Sequence, residues 1–314
     1  MIMQLVVALA AGCASALMFV SVVSGALISL VLFYLAPLPL LVAALGWGST
    51  TALAGGLVTC AAIGLILGLP YMTVFALTVA LPAWWLGRLT MLARSAPGPD
   101  GTSVLHWYPP GRLVLWTAAF ASLTTIAALL SLGSDAATVT DTLKHGLARI
   151  FGATEGTDAA DTDVLVTVLV TIAPAAATMV TMAALALNLW LGARIAQTSG
   201  RLTRPWPALN LIEFPTLTLA VLAVAILLSL AGGLLALCAQ VVSTALVLAY
   251  AIAGFAVLHS LTQSMATRGF WLAGTYALVV VFGWPLVVVA LLGIADAVFG
   301  FRRRRRLTPP TPSF

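Results

Sequence analysis

Hydrophobic positions run through this chain with few interruptions, and the interruptions carry the first information. No charged side chain precedes Arg88. That stretch is far longer than one membrane crossing, since about 20 apolar residues span a bilayer core. Pro and Gly mark its turns. The pattern predicts a long first helix over 4–35, kinked at Ser24-Gly25. A short element follows, opened by Pro37-Leu38-Pro39 and closed by Gly46-Trp47-Gly48. A third helix covers 49–68. A fourth runs from Gly68-Leu69-Pro70 to about Arg88, with Trp84 and Trp85 at interfacial depth.

Residues 93–111 read as a polar loop rich in Pro and Gly, ending in Trp107-Tyr108-Pro109-Pro110-Gly111-Arg112. A fifth helix is expected over 113–133. The most polar stretch comes next, with Asp135, Asp141, Glu155, Asp158, Asp161 and Asp163 against Lys144 and Arg149. Leu143, Leu147, Ile150 and Phe151 recur there at helical spacing, which predicts a short amphipathic surface helix. A sixth helix over 164–195 is interrupted by Pro174. The uncharged run from Phe214 to Thr267 fits two crossings joined near Gly232-Gly233. The last apolar stretch, 269–295, breaks at Gly283-Trp284-Pro285. The segments are therefore 1–92 (membrane helices), 93–112 (loop), 113–133 (helix), 134–163 (acidic loop), 164–300 (membrane helices) and 301–314 (basic tail). The expected fold class is all-α: a polytopic transmembrane bundle of eight or nine membrane elements, some short or broken.

Composition supports this reading. The 314 residues are 62% hydrophobic and 7% charged, against roughly 25% charged in soluble domains. So few charges cannot cover the surface of a water-soluble protein, which excludes a soluble globular enzyme, a disordered chain and a coiled coil. There are 14 Lys and Arg against 9 Asp and Glu, and Arg302, Arg303, Arg304, Arg305 and Arg306 account for the excess. The basic balance belongs to one tail, and no nucleic-acid partner is expected. That tail reads as a topology anchor on anionic lipid headgroups, each Arg contributing about 1 kcal/mol near such a surface.

Charge also orients the chain. Arg88, Arg94 and Arg112 outweigh Asp100, and Arg194, Arg201 and Arg204 outweigh Glu213. By the positive-inside rule both loops face the cytoplasm and the acidic 134–163 loop is external. Both termini are then cytoplasmic, in a bacterial inner membrane. Leu9-Ala10-Ala11-Gly12-Cys13 and Ala14-Ser15-Ala16 look like cleavage sites, yet no Lys or Arg precedes the apolar run, so an uncleaved first helix is expected.

Candidate chemistry is sparse. Cys13, Cys60 and Cys238 sit singly in apolar stretches and read as small packers. There is no phosphate-binding Gly loop with a Lys, no His-Glu-x-x-His and no Gly-x-Ser-x-Gly. No catalytic residues, metal site or cofactor are expected, and the chain is not read as an enzyme. Polar residues within apolar segments are functional candidates by default. Here these are Asn188, Tyr250, His259, Gln263 and Asp296, and Tyr250, Asn188 and His259 are taken as ligand-binding candidates. The alternative for each is a structural hydrogen bond. On the first helix Ala8, Gly12 and Ala16 are spaced by four, as are Ala10 and Ala14. Such faces let helix backbones approach closely, either within the chain or against a partner.

Three stretches resemble one family: Pro37 to Gly48, Trp107 to Arg112, and the closing Leu291 to Arg303. They resemble the YybS-like family of bacterial membrane proteins (domain of unknown function 2232). That family has no established activity, so the resemblance implies placement rather than mechanism. The family is distantly similar to the substrate-binding membrane subunits of energy-coupling-factor vitamin transporters, whose first helix docks on a membrane coupling subunit. The resemblance implies docking through Ala10 and Ala14, or Ala8 and Gly12. The extra segments and the acidic loop depart from that pattern. Two functions follow: a solute-binding membrane subunit that lacks its own ATPase and works with a coupling subunit and ATPases, or a non-transport scaffold or envelope-assembly protein. For the first, the expected small-molecule site lies under the 134–163 loop, with Tyr250 facing the cavity.

Overall fold

In a computed structural model, residues 2–97, 103–151, 159–208, 212–263 and 265–302 are described, with backbone alone for 150–151 and 159–163. These form α1 (Ile2–Val20), α2 (Leu27–Leu35), α3 (Pro37–Trp47), α4 (Ser49–Leu67), α5 (Leu69–Phe75), α6 (Leu81–Thr90), β1 (Ala93–Pro97), β2 (Ser103–Trp107), α7 (Pro110–Leu132), α8 (Ala136–Phe151), α9 (Ala159–Thr198), α10 (Leu217–Leu228), α11 (Gly233–Leu261), α12 (Arg268–Phe282) and α13 (Pro285–Phe299). Among the described residues seven helical segments are long and apolar enough to cross a bilayer. With the shorter apolar helices α10, α12 and α13 they make an all-α polytopic bundle.

The first expected helix, 4–35, is two elements. A 3-10 turn at Ser21–Ser24 leads to Gly25, whose φ of 70° lies where side chains are disfavoured. The chain reverses there, and Phe19 meets Phe33 with ring centroids 5.5 Å apart. Past Ala36 the path resumes as α3, because Pro37 and Pro39 stand in its first turn, where a missing N–H costs nothing. The sixth helix is longer than expected. α9 has 40 residues, about 60 Å, and runs through Pro174 without breaking. The final apolar stretch is a broken pair: α12 and α13 have 15 residues each, about 22 Å, and part at Gly283 (φ 71°). The 93–111 loop contains an antiparallel hairpin pairing Ala93 with Trp107 and Pro97 with Ser103.

Burial is inverted relative to a soluble protein. Ser15, Thr59, Thr117 and Thr178 are buried, whereas Leu65 (89%), Val280 (83%) and Leu17 (74%) are open. Large apolar side chains outside and small or hydroxylated ones between helices are what hydrocarbon solvent selects. One core gathers Phe19, Leu40, Leu41, Phe75 and Leu86 from α1 to α6 with Phe120 and Leu185 from α7 and α9. A second joins α7, α9, α10, α11 and α13 through Ala121, Met182, Ala249, Tyr250 and Ala290. Close approaches set both. Gly12 of α1 faces the Gly55 carbonyl and Thr59 of α4, and Gly254 and Gly293 let α11 and α13 touch backbone to backbone. The C-terminal ends of α3, α6, α9 and α11 and the start of α7 gather at one end of the bundle, with the hairpin. α8 packs across the opposite end through Val139, against Leu129 and Val241.

Candidate functional site

The gathered end is rich in arginine and tryptophan, and two of its arginines are buried. Arg204, 6% exposed, lies in the segment after α9. Its Nη1 donates to the Thr90 carbonyl (2.8 Å) and its Nη2 to the Tyr108 carbonyl (2.9 Å). One planar guanidinium thus ties the end of α6 and the base of the hairpin to the 201–208 segment. Its fork geometry suits two carbonyls at fixed separation. Burial draws its pKa downward without discharging it. Arg201 stacks over Trp47 at 4.5 Å and Arg194 over Trp206 at 5.0 Å, contacts that hold a cation against an aromatic face.

Arg302 makes the second pin. Its Nε donates to Asp296 Oδ2 (2.8 Å), its backbone N–H to Oδ1 (3.0 Å), and its Nη2 to the Ile212 carbonyl (2.7 Å). Both members of this ion pair are 6% exposed. A cleft of about 310 Å³ lies beside it, lined by Glu213, Thr216, Ala253 and Gly293 among others.

Between the two pins sits an apolar chamber of about 200 Å³. Leu113 and Val114 of α7, Leu189 and Trp190 of α9, and Ile252 of α11 wall it. Leu202, Arg204, Trp206 and Ile212 border it on the loop side. Apolar walls with a few placed polar groups are the usual form of a small-molecule site. This one is almost wholly apolar inside, and the Arg204 guanidinium in its wall is held by the Thr90 and Tyr108 carbonyls. Among the described residues no cluster of three or more His, Cys, Asp and Glu is present.

The residues singled out from sequence fall in several places. Tyr250 does not face an opening. It is 1% exposed, set edge-on to Phe214 with centroids 5.3 Å apart and packed with Leu222 and Ala290. Asn188 is fully buried, and its Nδ2 donates to the Tyr34 and Ala184 carbonyls, both at 2.7 Å. His259 bonds to the Tyr276 hydroxyl (3.0 Å) and meets Arg268 (3.4 Å) at the end of α11. These three are not brought together. On α1, Ala8 and Gly12 are occupied by α4, Ala16 packs on the first core, Ala14 is half-buried and Ala10 is exposed. Arg302 is paired inside the protein rather than presented to headgroups, because Asp296 lies six residues back where the chain folds over the end of α13. Arg303 to Arg306 lie outside the described residues, as does 152–158 of the acidic loop.

Sequence reasoning missed Arg204 as a buried residue. It reads there as one charge of a polar loop, and its partners are carbonyls 114 and 96 positions away. A family model described as a predicted membrane protein (DUF2232) matches residues 13–297. No curated protein and no solved structure matches the chain.

Proposed function

The chain belongs to the DUF2232 family of predicted membrane proteins, and from that premise we propose that it is a solute-binding membrane subunit without its own ATPase. In this reading it binds rather than catalyses. Its solute is a small amphiphile, an apolar body carrying an anionic group. The observation that carries the reading is the apolar pocket of about 200 Å³ bordered on its loop side by Leu202, Arg204, Trp206 and Ile212, with Arg194 stacked on Trp206. Each CH₂ moved there from water contributes about 0.8 kcal/mol. The arginines supply charge complementarity at the mouth.

Placing the protein in a bacterial cytoplasmic membrane with the arginine-rich end inside follows the positive-inside rule. Arg88, Arg94, Arg112, Arg194, Arg201, Arg204, Arg268 and Arg302 all belong to that end. A coupling subunit and ATPases would then meet the protein on the side where the chamber lies. The part of α1 left open to such a subunit carries Ala10 and Ala14.

The test is purification of the full chain in mild detergent, extraction of bound small molecules for mass spectrometry, and thermal unfolding against a panel of anionic amphiphiles and vitamins. A retained molecule or a saturable stabilisation that Leu113→Trp abolishes supports the reading. Purification with neither, and with no ATPase pair attached, overturns it in favour of a scaffold in envelope assembly.

A further inference from the structure

The two halves of the broken C-terminal pair are held very differently. α13 buries Val289, Ala290, Gly293 and Asp296, and Gly293 brings its backbone against Tyr250 and Gly254 of α11. α12 buries none of its residues. Along it only Arg268, Leu272, Thr275 and Val279 are partly covered, at the i, i+4, i+7 and i+11 spacing of one helix side. Its other side is open, with Phe270 76% and Val280 83% exposed. α12 ends at Gly283, whose φ of 71° makes a pivot that no side chain obstructs.

What fastens α12 to α11 is a cluster around one imidazole. Tyr276 stacks on Phe255 with ring centroids 4.7 Å apart, and its hydroxyl meets His259 Nε2 at 3.0 Å. On the other side of the ring Arg268 Nη2 meets His259 Nδ1 at 3.4 Å. This pairing fixes the tautomer. Arginine only donates, so Nδ1 carries the lone pair, and the ring proton sits on Nε2 and goes to the Tyr276 oxygen. Arg268 Nε is buried without an acceptor. The imidazole lone pair is therefore what answers this guanidinium among the described residues.

No negative charge stands by to offset a proton on that ring. From α12 it faces Arg268 and Tyr276. On α13 the charged groups at this end are Asp296 and Arg302, bonded to each other. Glu213, ahead of α10, borders the cleft beside that pair. Among the described residues no carboxylate bonds to His259. A proton taken up at Nδ1 points at a group that cannot accept it. It also sets a second positive charge against the guanidinium, and like charges this close repel. Parting α12 from α11 relieves both.

We propose that α12 is a strap, pivoting at Gly283 and latched to α11 through neutral His259, and that it is released when this ring takes up a proton. The latch holds above the ordinary imidazole range, near pH 6.5, and lets go as pH falls through it. Release bares Phe255 and the last turns of α11 next to the arginine-rich end. The device is independent of the solute chamber and gives the protein an element that responds to protons.

The test uses the full chain in lipid nanodiscs, with Cys13, Cys60 and Cys238 replaced and nitroxide labels on Gly274→Cys and Leu65→Cys. Gly274 of α12 has nothing within 4 Å, and Leu65 of α4 is 89% exposed. Electron–electron distance distributions are compared at about pH 8 and about pH 5, on either side of the ordinary imidazole value. A narrow population is expected at the higher pH, and its loss to a broader, displaced one at the lower. His259→Gln offers an oxygen and an N–H but does not titrate, so its distribution should be the same at both pH values, with His106 and His145 still present. Arg268→Gln removes the repelling charge and should blunt the acid response. Identical distributions for the parent at both pH values, or an acid shift that survives His259→Gln, overturns the proposal. Should His259→Gln fail to fold, Arg268→Gln decides. An acid response as large as the parent's overturns the latch, and a diminished one sustains it.

Discussion

Replacing Arg204 by Met tests whether one guanidinium holds the loop over the apolar chamber. The substitution keeps an unbranched stem and removes both donors. Two bonds from a charged group to carbonyls are lost, at about 1.5–3 kcal/mol each, and the Thr90 and Tyr108 carbonyls lose their donor. Against this, Met no longer carries the desolvation penalty of a cation that is 6% exposed. The net loss in the free energy holding the segment closed is about 2–4 kcal/mol by these terms. The assay places a single cysteine at Leu113, 7% exposed behind the segment, after Cys13, Cys60 and Cys238 are replaced. Its maleimide reaction rate reports the population of the open loop. At 1.4 kcal/mol per factor of ten the rate should rise roughly 25- to 700-fold in Arg204→Met. Arg204→Lys keeps the charge but cannot fork between two carbonyls, so an intermediate rate is expected. A rate in Arg204→Met within about threefold of the parent refutes the pin. A Lys variant equal to wild type would show that charge suffices without the fork.

Asp296→Asn leaves Arg302 buried against a neutral partner and should cost about 3–5 kcal/mol in denaturant unfolding. A double change to Leu and Met at these positions should recover part of that, and additive losses would show that the two do not act as a pair. Gly12→Leu, driven into the Gly55 carbonyl and Thr59, should lower thermal stability by about 1–3 kcal/mol or more, whereas Ala10→Leu on the exposed side should leave it unchanged. The reverse order would mean that α1 packs by its other face. Asp135 accepts from the Thr138 N–H (3.0 Å) and hydroxyl (2.7 Å) at the start of α8, and these bonds lower its pKa. Its stabilisation of the first turn is therefore complete above the ordinary carboxylate range, near pH 4, and lost as pH falls through the lower folded value. Hydrogen exchange at the first turn of α8 should accelerate in acid in the wild type, and Asp135→Asn, which still caps, should remove that pH dependence. Single cysteines at Ser103 and Thr157 should label from opposite sides of the membrane, and equal labelling from one side would discard the orientation.

What could be read from sequence depended on whether the signal was local. Gly25, Gly232-Gly233 and Gly283-Pro285 announce their breaks because a positive φ or a missing N–H acts on the residues beside it. α8 is legible for the same reason, since its apolar side repeats at helical spacing in an otherwise polar stretch. The hairpin at 93–107 is not. Its strands show no clean alternation and are mostly exposed, so nothing in their pattern reports pairing. Tyr250 misleads in the opposite direction. A hydroxylated ring in mid-helix looks like a ligand contact, yet the closeness of α11 and α13 decides its surroundings, and that is set by Gly254 and Gly293 on two helices.

Asn188 lies between these cases and shows where sequence reading stops. Its type and depth mark it as a candidate, and the structure buries it with both amide protons on the Tyr34 and Ala184 carbonyls. Around it the membrane helices carry many threonines, and back-bonding to the fourth residue before them satisfies Thr78, Thr124 and Thr178 locally. Thr178, which bonds Pro174 and is fully buried, and Thr78, which bonds Val74 and lines a cavity, look alike in sequence. Only convergence separates them. Four spans bring their centres to one point, at a π turn and a proline break whose positions in sequence are unrelated. A crevice assembled from the middles of four spans is invisible along the chain, because it arises from how the helices meet rather than from the residue types themselves.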